Sequence, residues 1–197
     1  MSNSLNNAGA LSADGTPGPA PAGAAVPGHD GVQSPSAAFI GCMREVASSV
    51  TIVTTEGPAG RHGATVSAFS SVSADPPTIL VCLRSDSRIG ELVMANGVFT
   101  VNVLPEHKQQ VARTFSGELK TPVAERFDNL ELVEYADHAP GIQGATIFAC
   151  KLVQFDVHHS HTVFIGEVVH TASSGSPPLT YYHGAYRQLQ RDPVSAL

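Results

Sequence analysis

Apolar and polar positions change rhythm several times along this chain, and each change marks an element. Behind Ser34 and Ser36, either of which can cap a helix, Phe39, Ile40, Met43, Val46 and Ala47 recur at helical spacing and predict a short amphipathic helix. Residues 50–55 are β-branched throughout and read as a strand. Glu56-Gly57-Pro58-Ala59-Gly60 is turn chemistry, so residues 50–55 and 63–69 are expected to pair as a hairpin. Asp75-Pro76-Pro77 then marks a turn before a buried strand at 79–83. A second helix is capped by Ser85 or Ser87, carries the stripe Ile89, Leu92 and Val93, and stops at Asn96-Gly97. Residues 99–104 form a further strand, and Pro105 opens a helix that runs through Val111 and Phe115 to Gly117. Two long strands, 147–157 and 162–172, are joined near residues 158–161. Many closely spaced strands with few short helices predict a mainly β protein, an antiparallel barrel rather than a βαβ fold.

Composition changes this picture at the ends. Residues 1–35 are rich in Gly, Ala, Pro and Ser and cannot bury enough surface to offset their ordering entropy, so they read as a disordered tail. The expected folded domain is 36–192, followed by a short tail at 193–197. Of the 197 residues, 42% are hydrophobic, enough for a real core, and only 14% are charged. The net charge of −6, with no basic run, argues against nucleic acid or an anionic membrane as partner. No stretch approaches the roughly 20 apolar residues of a membrane helix, and no Lys or Arg precedes Arg44, unlike a signal or transit peptide. Cys42, Cys82 and Cys150 are odd in number and widely spaced, which reads as reduced thiols in the cytoplasm rather than a disulfide framework.

Candidate chemistry lies in three places. Thr65, Ser67, Ser70, Ser71 and Ser73 line the segment before Pro76 with small hydroxyls, either an ordinary solvent face or a set of donors for a flat, phosphorylated cofactor close to the backbone. Cys82-Leu83-Arg84-Ser85-Asp86-Ser87-Arg88 leads from a strand into a helix, where unpaired N–H groups and two arginines suit a phosphate, or where Ser87 is a plain cap. In His158-His159-Ser160-His161, His159 and His161 share a face; no third ligand accompanies them, which leaves a solvated turn or a substrate-contacting histidine ahead of a metal site. Cys42 and Cys150 read as core residues, and Tyr181, Tyr182 and Tyr186 as packing or interface aromatics. Glycine motifs of Rossmann and P-loop sites, the G-x-S-x-G elbow and H-E-x-x-H are absent.

With these residues laid out, the chain resembles the short-chain flavin reductases, the reductase components of two-component flavin-dependent monooxygenases such as that acting on 4-hydroxyphenylacetate. The resemblance spans about residues 39–189. It rests on the 50–55 strand with Gly57-Pro58-Ala59-Gly60, on Gly63-x-Thr65-x-Ser67-Ala68 with Ser71-Val72-Ser73, and on Pro76-Pro77, Val81-Cys82-Leu83 and Val101-Asn102-Val103-Leu104. Phe115-Ser116-Gly117, Glu125-Arg126-Phe127, Ser160-His161 before Val163-Phe164, and Pro178-Leu179-x-Tyr181 complete it. It implies an FMN-binding split β-barrel of Greek-key type and a homodimer with flavin near the subunit interface. It implies hydride transfer from NADH, favoured over NADPH, to FMN or FAD, and delivery of reduced flavin to a separate monooxygenase. By residue, it implies flavin contacts at Thr65, Val66, Ser67, Ala68, Ser71, Cys82, Leu83, Arg84, Ser85, Ser87, Phe115, Ser116 and Gly117. It places His161 at the nicotinamide as the candidate catalytic residue, with Ser160 and His159 beside it. Uncharged donors at the flavin ring edge would stabilise the anionic reduced form. The chain departs from the family at His159, where glycine is usual, at 128–131, where a tryptophan is often found, and in its long N-terminal tail. Rival readings are a non-catalytic flavin- or haem-binding module and a flavoenzyme holding FMN tightly for its own small substrate. A pyridoxamine-phosphate oxidase is disfavoured by the scarcity of basic residues.

Overall fold

The computed structural model describes residues 34–190. The expected tails, 1–33 of the first and all of the second, lie outside them. Helix α1 (Pro35–Arg44) starts behind Ser34, whose Oγ accepts from the Ala37 N–H at 3.3 Å, with Pro35 at the first helical position. Phe39, Ile40 and Met43 lie on it as expected, Val46 and Ala47 fall beyond its end, and none of its residues is buried. Twelve strands follow. They are β1 (Ser48–Ser49), β2 (Thr51–Thr55), β3 (His62–Val66), β4 (Phe69–Ala74), β5 (Pro77–Arg84), β6 (Val98–Val103), β7 (Leu132–Tyr135), β8 (His138–Ile142), β9 (Thr146–His158), β10 (His161–Ala172), β11 (Thr180–Tyr182) and β12 (Ala185–Arg187). Helix α2 (Arg88–Asn96) is capped by Ser87 and closed by Gly97 at φ 70°; α3 (Gln109–Phe115) follows a single 3-10 turn behind Pro105.

Seven strands make one antiparallel sheet in the order β3-β2-β6-β9-β10-β5-β4. Its two outermost strands, β3 and β4, are joined by only Ser67 and Ala68. Three peptide steps span at most about 11 Å, so the sheet has to roll until its edges meet. The result is a split barrel. At the seam the Cys82 N–H donates to the Ala68 carbonyl at 3.0 Å. The single strand expected at 63–69 is thus corrected: pairing with β2 ends at Val66, and Phe69 begins a strand at the opposite edge. Alternation cannot reveal this break, because both halves keep a strand-like pattern.

Curvature comes from β9 and β10, whose register shifts at Ile165/Gly166 and Val168/His170. At Gly166 a Cβ would lie 2.5 Å from the Phe99 ring, so only glycine permits this approach. Two cores result. One, inside the barrel, joins Val53, Val81, Phe99, Val101 and Phe164 with Ile89 and Val93 of α2. The other lies on the far face of β2 and β6 and gathers Ile52, Leu104, Phe115, Ile142, Ile147 and Leu179 under α3. Strand β2 is buried on both faces, which accounts for its unbroken β-branched run.

Candidate functional site

The seam places the segment 65–68 between two concavities. The larger, of about 740 Å³, lies between the end of β3, the C-terminal face of α3 and the β11–β12 hairpin; the smaller, of about 290 Å³, lies toward β5, α2 and His161. Thr65, Val66 and Ser67 line both, so they form the ridge between them. Ser67 and Ala68 are exposed and small, which leaves the backbone open to a flat ligand. The ridge is held from both sides. Thr51 Oγ1 donates to the Val66 carbonyl at 2.6 Å, and Thr65 Oγ1 donates to the Ala112 carbonyl of α3 at 2.7 Å. The Thr65 hydroxyl hydrogen is therefore committed, and toward a ligand this oxygen acts as an acceptor.

Ala68, Cys82, Leu83, Arg84, Ser87 and His161 line the smaller concavity, Ser116 and Gly117 the larger. Burial pushes the Cys82 thiol above its ordinary pKa. The cap at α2 is satisfied internally: Ser87 Oγ accepts from the Gly90 N–H at 3.3 Å and donates to the Arg84 carbonyl at 2.6 Å. Arg84 forks onto both oxygens of Asp86 (3.0 and 2.8 Å), and Arg88 pairs with Glu91 at 2.9 Å. Both arginines proposed from the sequence as phosphate groups thus already hold carboxylates. The Arg84 hydrogen bonds, with a smaller contribution from His161, hold the Asp86 carboxyl below its usual range.

At the β9–β10 turn the Ser85 N–H donates to the Ser160 carbonyl at 2.9 Å, and Ser85 Oγ lies 3.0 Å from Thr162 Oγ1. Ser160 Oγ is 3.0 Å from His161 Nδ1, which orients the imidazole at the start of β10 opposite Arg84. His159 has φ 51°, the left-handed region. His158, the cross-strand partner of His161, lies 3.0 Å from Asp156 through its Nε2. Three expected flavin contacts line neither concavity. Ser85 is tied to the β9–β10 turn, Ser71 sits on the exposed edge strand β4, and the Phe115 ring is 2% exposed, packed edge-on against Phe127 at 5.0 Å.

Sequence reasoning passed over Gln109, Arg113, Glu118 and Gly184, which line the larger concavity, and read Tyr181 and Tyr186 only as aromatics for packing or an interface. Gln109, Arg113 and Ser116 are spaced four and three apart, one face of α3 continued into its C-cap, and this was the available signal. A volume of about 740 Å³ falls in the ~300–1,000 Å³ range of cofactor-sized sites. A ridge of small residues, hydroxyls on either side and aromatic phenols at one end fit a flat ring bearing a polar tail.

The flavin reductase like domain model matches residues 43–190. An FMN reductase (NADH), RutF 1 of Methylorubrum extorquens, is 40% identical over 162 residues, 81% of this chain and 80% of that one. The flavin reductase PheA2 in its native state superimposes with a TM-score of 0.73 at 30% identity, covering 80% of this chain and 100% of that one. The styrene monooxygenase flavin reductase SMOB from Pseudomonas putida gives a TM-score of 0.67 at 28% identity, covering 79% and 99%.

Proposed function

This chain belongs to the flavin reductase-like domain family, and from that premise we propose that it is an NADH-dependent flavin reductase supplying reduced flavin to a separate monooxygenase. The observation that carries the reading is the ridge 65–68 at the barrel seam, flanked by two concavities that share its residues. The chemistry is hydride transfer from the nicotinamide to the flavin ring, which needs the two rings stacked rather than a protein nucleophile. The ridge and the Cys82–Ser87 wall hold the flavin ring, and Ser116 and Gly117 its tail. His161, oriented by Ser160, borders the place left for the nicotinamide.

FMN and NADH are supported by the name of the Methylorubrum relative, and the monooxygenase partner by that of the styrene enzyme's reductase. NADH over NADPH is supported further by charge: Arg84, the arginine that lines the smaller concavity beside His161 among the described residues, already forks onto both oxygens of Asp86 and offers little to a 2′-phosphate. A homodimer is supported by Val153 (62% exposed), Phe155 (47%) and Val157 (58%), an apolar stripe on the far half of β9. Three free cysteines accord with a cytoplasmic setting.

The test is oxidation of NADH by purified protein with and without added FMN or FAD. Oxidation that requires added flavin is expected. Flavin binding without NADH oxidation would leave a binding module and reduce His161 to a turn residue.

A further inference from the structure

The larger concavity contains one cationic side chain among the described residues, Arg113, and it faces one carboxylate, Glu118. Arg113 Nε and Nη2 lie 3.0 and 2.7 Å from the same oxygen, Glu118 Oε1. The pair is built into the helix end. Ser116 Oγ donates to the Arg113 carbonyl at 3.0 Å and accepts from the Glu118 N–H at 3.3 Å, which turns Glu118 back over the last turn of α3. Tyr186, across the cavity, feels its own burial first and Glu118 as well, and both push its phenol upward.

Two features make this pair exchangeable. The side chains are 39% and 48% exposed, and exposed ion pairs are weak and screened. Both hydrogen bonds end on one carboxylate oxygen, so the guanidinium fork is not matched oxygen for oxygen, whereas a phosphate ester offers the bidentate geometry it prefers. Resting on the flavin reading above, we propose that Glu118 sets a low flavin affinity: its carboxylate competes with the flavin's phosphoryl group for Arg113. When the phosphoryl group takes Arg113, it leaves Glu118 close by as a like charge. When the flavin departs, Glu118 closes the pair again. A reductase whose product has to leave for another protein gains from such a competitor, because it weakens the tail's hold without altering the ring's contacts.

Binding of FMN and of riboflavin, which lacks the phosphate, to the full chain separates the contributions. Glu118→Gln is expected to tighten FMN by roughly threefold to tenfold and to leave riboflavin unchanged. Arg113→Gln is expected to weaken FMN alone, and adding Glu118→Gln to Arg113→Gln should gain less FMN affinity than Glu118→Gln gains in the wild type, because only the like-charge part of its effect is left. Unfolding midpoints of the variants check that the fold is retained. An unchanged FMN affinity in Glu118→Gln, or equal shifts for FMN and riboflavin, overturns the proposal. So does an effect confined to the KM for NADH, which would put the competing phosphoryl group on the nicotinamide dinucleotide. Failure of wild-type protein to bind either flavin overturns the flavin reading itself.

Discussion

His159 is a non-glycine residue with positive φ, as are Lys120 and His183. Its φ of 51° is the left-handed region, costing a non-glycine residue about 1 kcal/mol. The resemblance to flavin reductases implies a glycine at this position, a residue that would take the same backbone angles without that cost. His159→Gly is expected to be neutral or stabilising by up to about 1 kcal/mol, and His159→Val destabilising by about 1–2 kcal/mol, read as urea midpoints at constant slope. The opposite order would mean that the imidazole makes contacts which outweigh the backbone cost. His62 and His138 bear on pH. Burial, the largest cause, holds both imidazoles below their ordinary pKa, helped by Arg126 and Arg88 at His62 and by His170 and Lys151 at His138. His62 Nδ1 and His138 Nε2 are buried with no hydrogen-bond partner among the described residues. As pH falls through about 6.5 the unfolded chain takes up these protons before the native one does. Their contribution is therefore full above that pH and lost below it. The melting temperature is expected to fall between about pH 6.5 and 5, and less steeply in a His62→Gln/His138→Gln double variant; an equal slope would remove these histidines as the cause.

At the scale of elements, buried polar side chains decide where the β7–β8 hairpin docks. Thr54 Oγ1 donates to the Pro140 carbonyl at 2.7 Å and Thr100 Oγ1 to the Ala139 carbonyl at 2.6 Å. Asn102 accepts from the Ile142 N–H at 2.7 Å and donates to the Ile52 carbonyl at 3.0 Å, while wholly buried. Three polar residues on β2 and β6 thereby satisfy the backbone of a strand that lies across the sheet. Asn102→Ala orphans several buried groups and is expected to cost about 3 kcal/mol, measured by denaturant unfolding. A loss under about 1 kcal/mol would show that water replaces the amide. The Val101-Asn102-Val103-Leu104 segment was visible in the sequence as part of the family pattern. Its structural use was not, because β8 is a Gly- and Pro-containing run with no strand periodicity of its own. The same holds for β11 and β12, three residues each, which wall the larger concavity with Tyr181 and Tyr186.

For the whole molecule, the unburied surfaces are as telling as the cores. Alongside the β9 stripe, Phe39 (65% exposed), Ile40 and Met43 leave one face of α1 uncovered within the chain. A second copy covering these surfaces would exclude water from apolar area that otherwise costs solubility. On the homodimer proposed above, Phe155→Ser is expected to shift the protein from dimer to monomer in sedimentation or light scattering, with a matching loss of reductase activity if the flavin groove borders the interface. Dimers of unchanged mass and strength would place the interface elsewhere.

The mainly β class, the long strands β9 and β10 and the helix α2 follow from sequence alone, because periodicity, turn residues and caps act over a few neighbouring positions. Helix α2 is the clearest case: Ser87, the Ile89, Leu92 and Val93 stripe and Gly97 are all local signals, and all operate as read. What joins distant segments depends on the rolled sheet. The break at Ser67 and Ala68, the two concavities on one ridge and the placing of Arg113 and Glu118 beside that ridge arise only when the edges β3 and β4 meet and α3 packs beside them. A sequence specifies which side chains a segment can offer; closure of the barrel decides which of them face the same space.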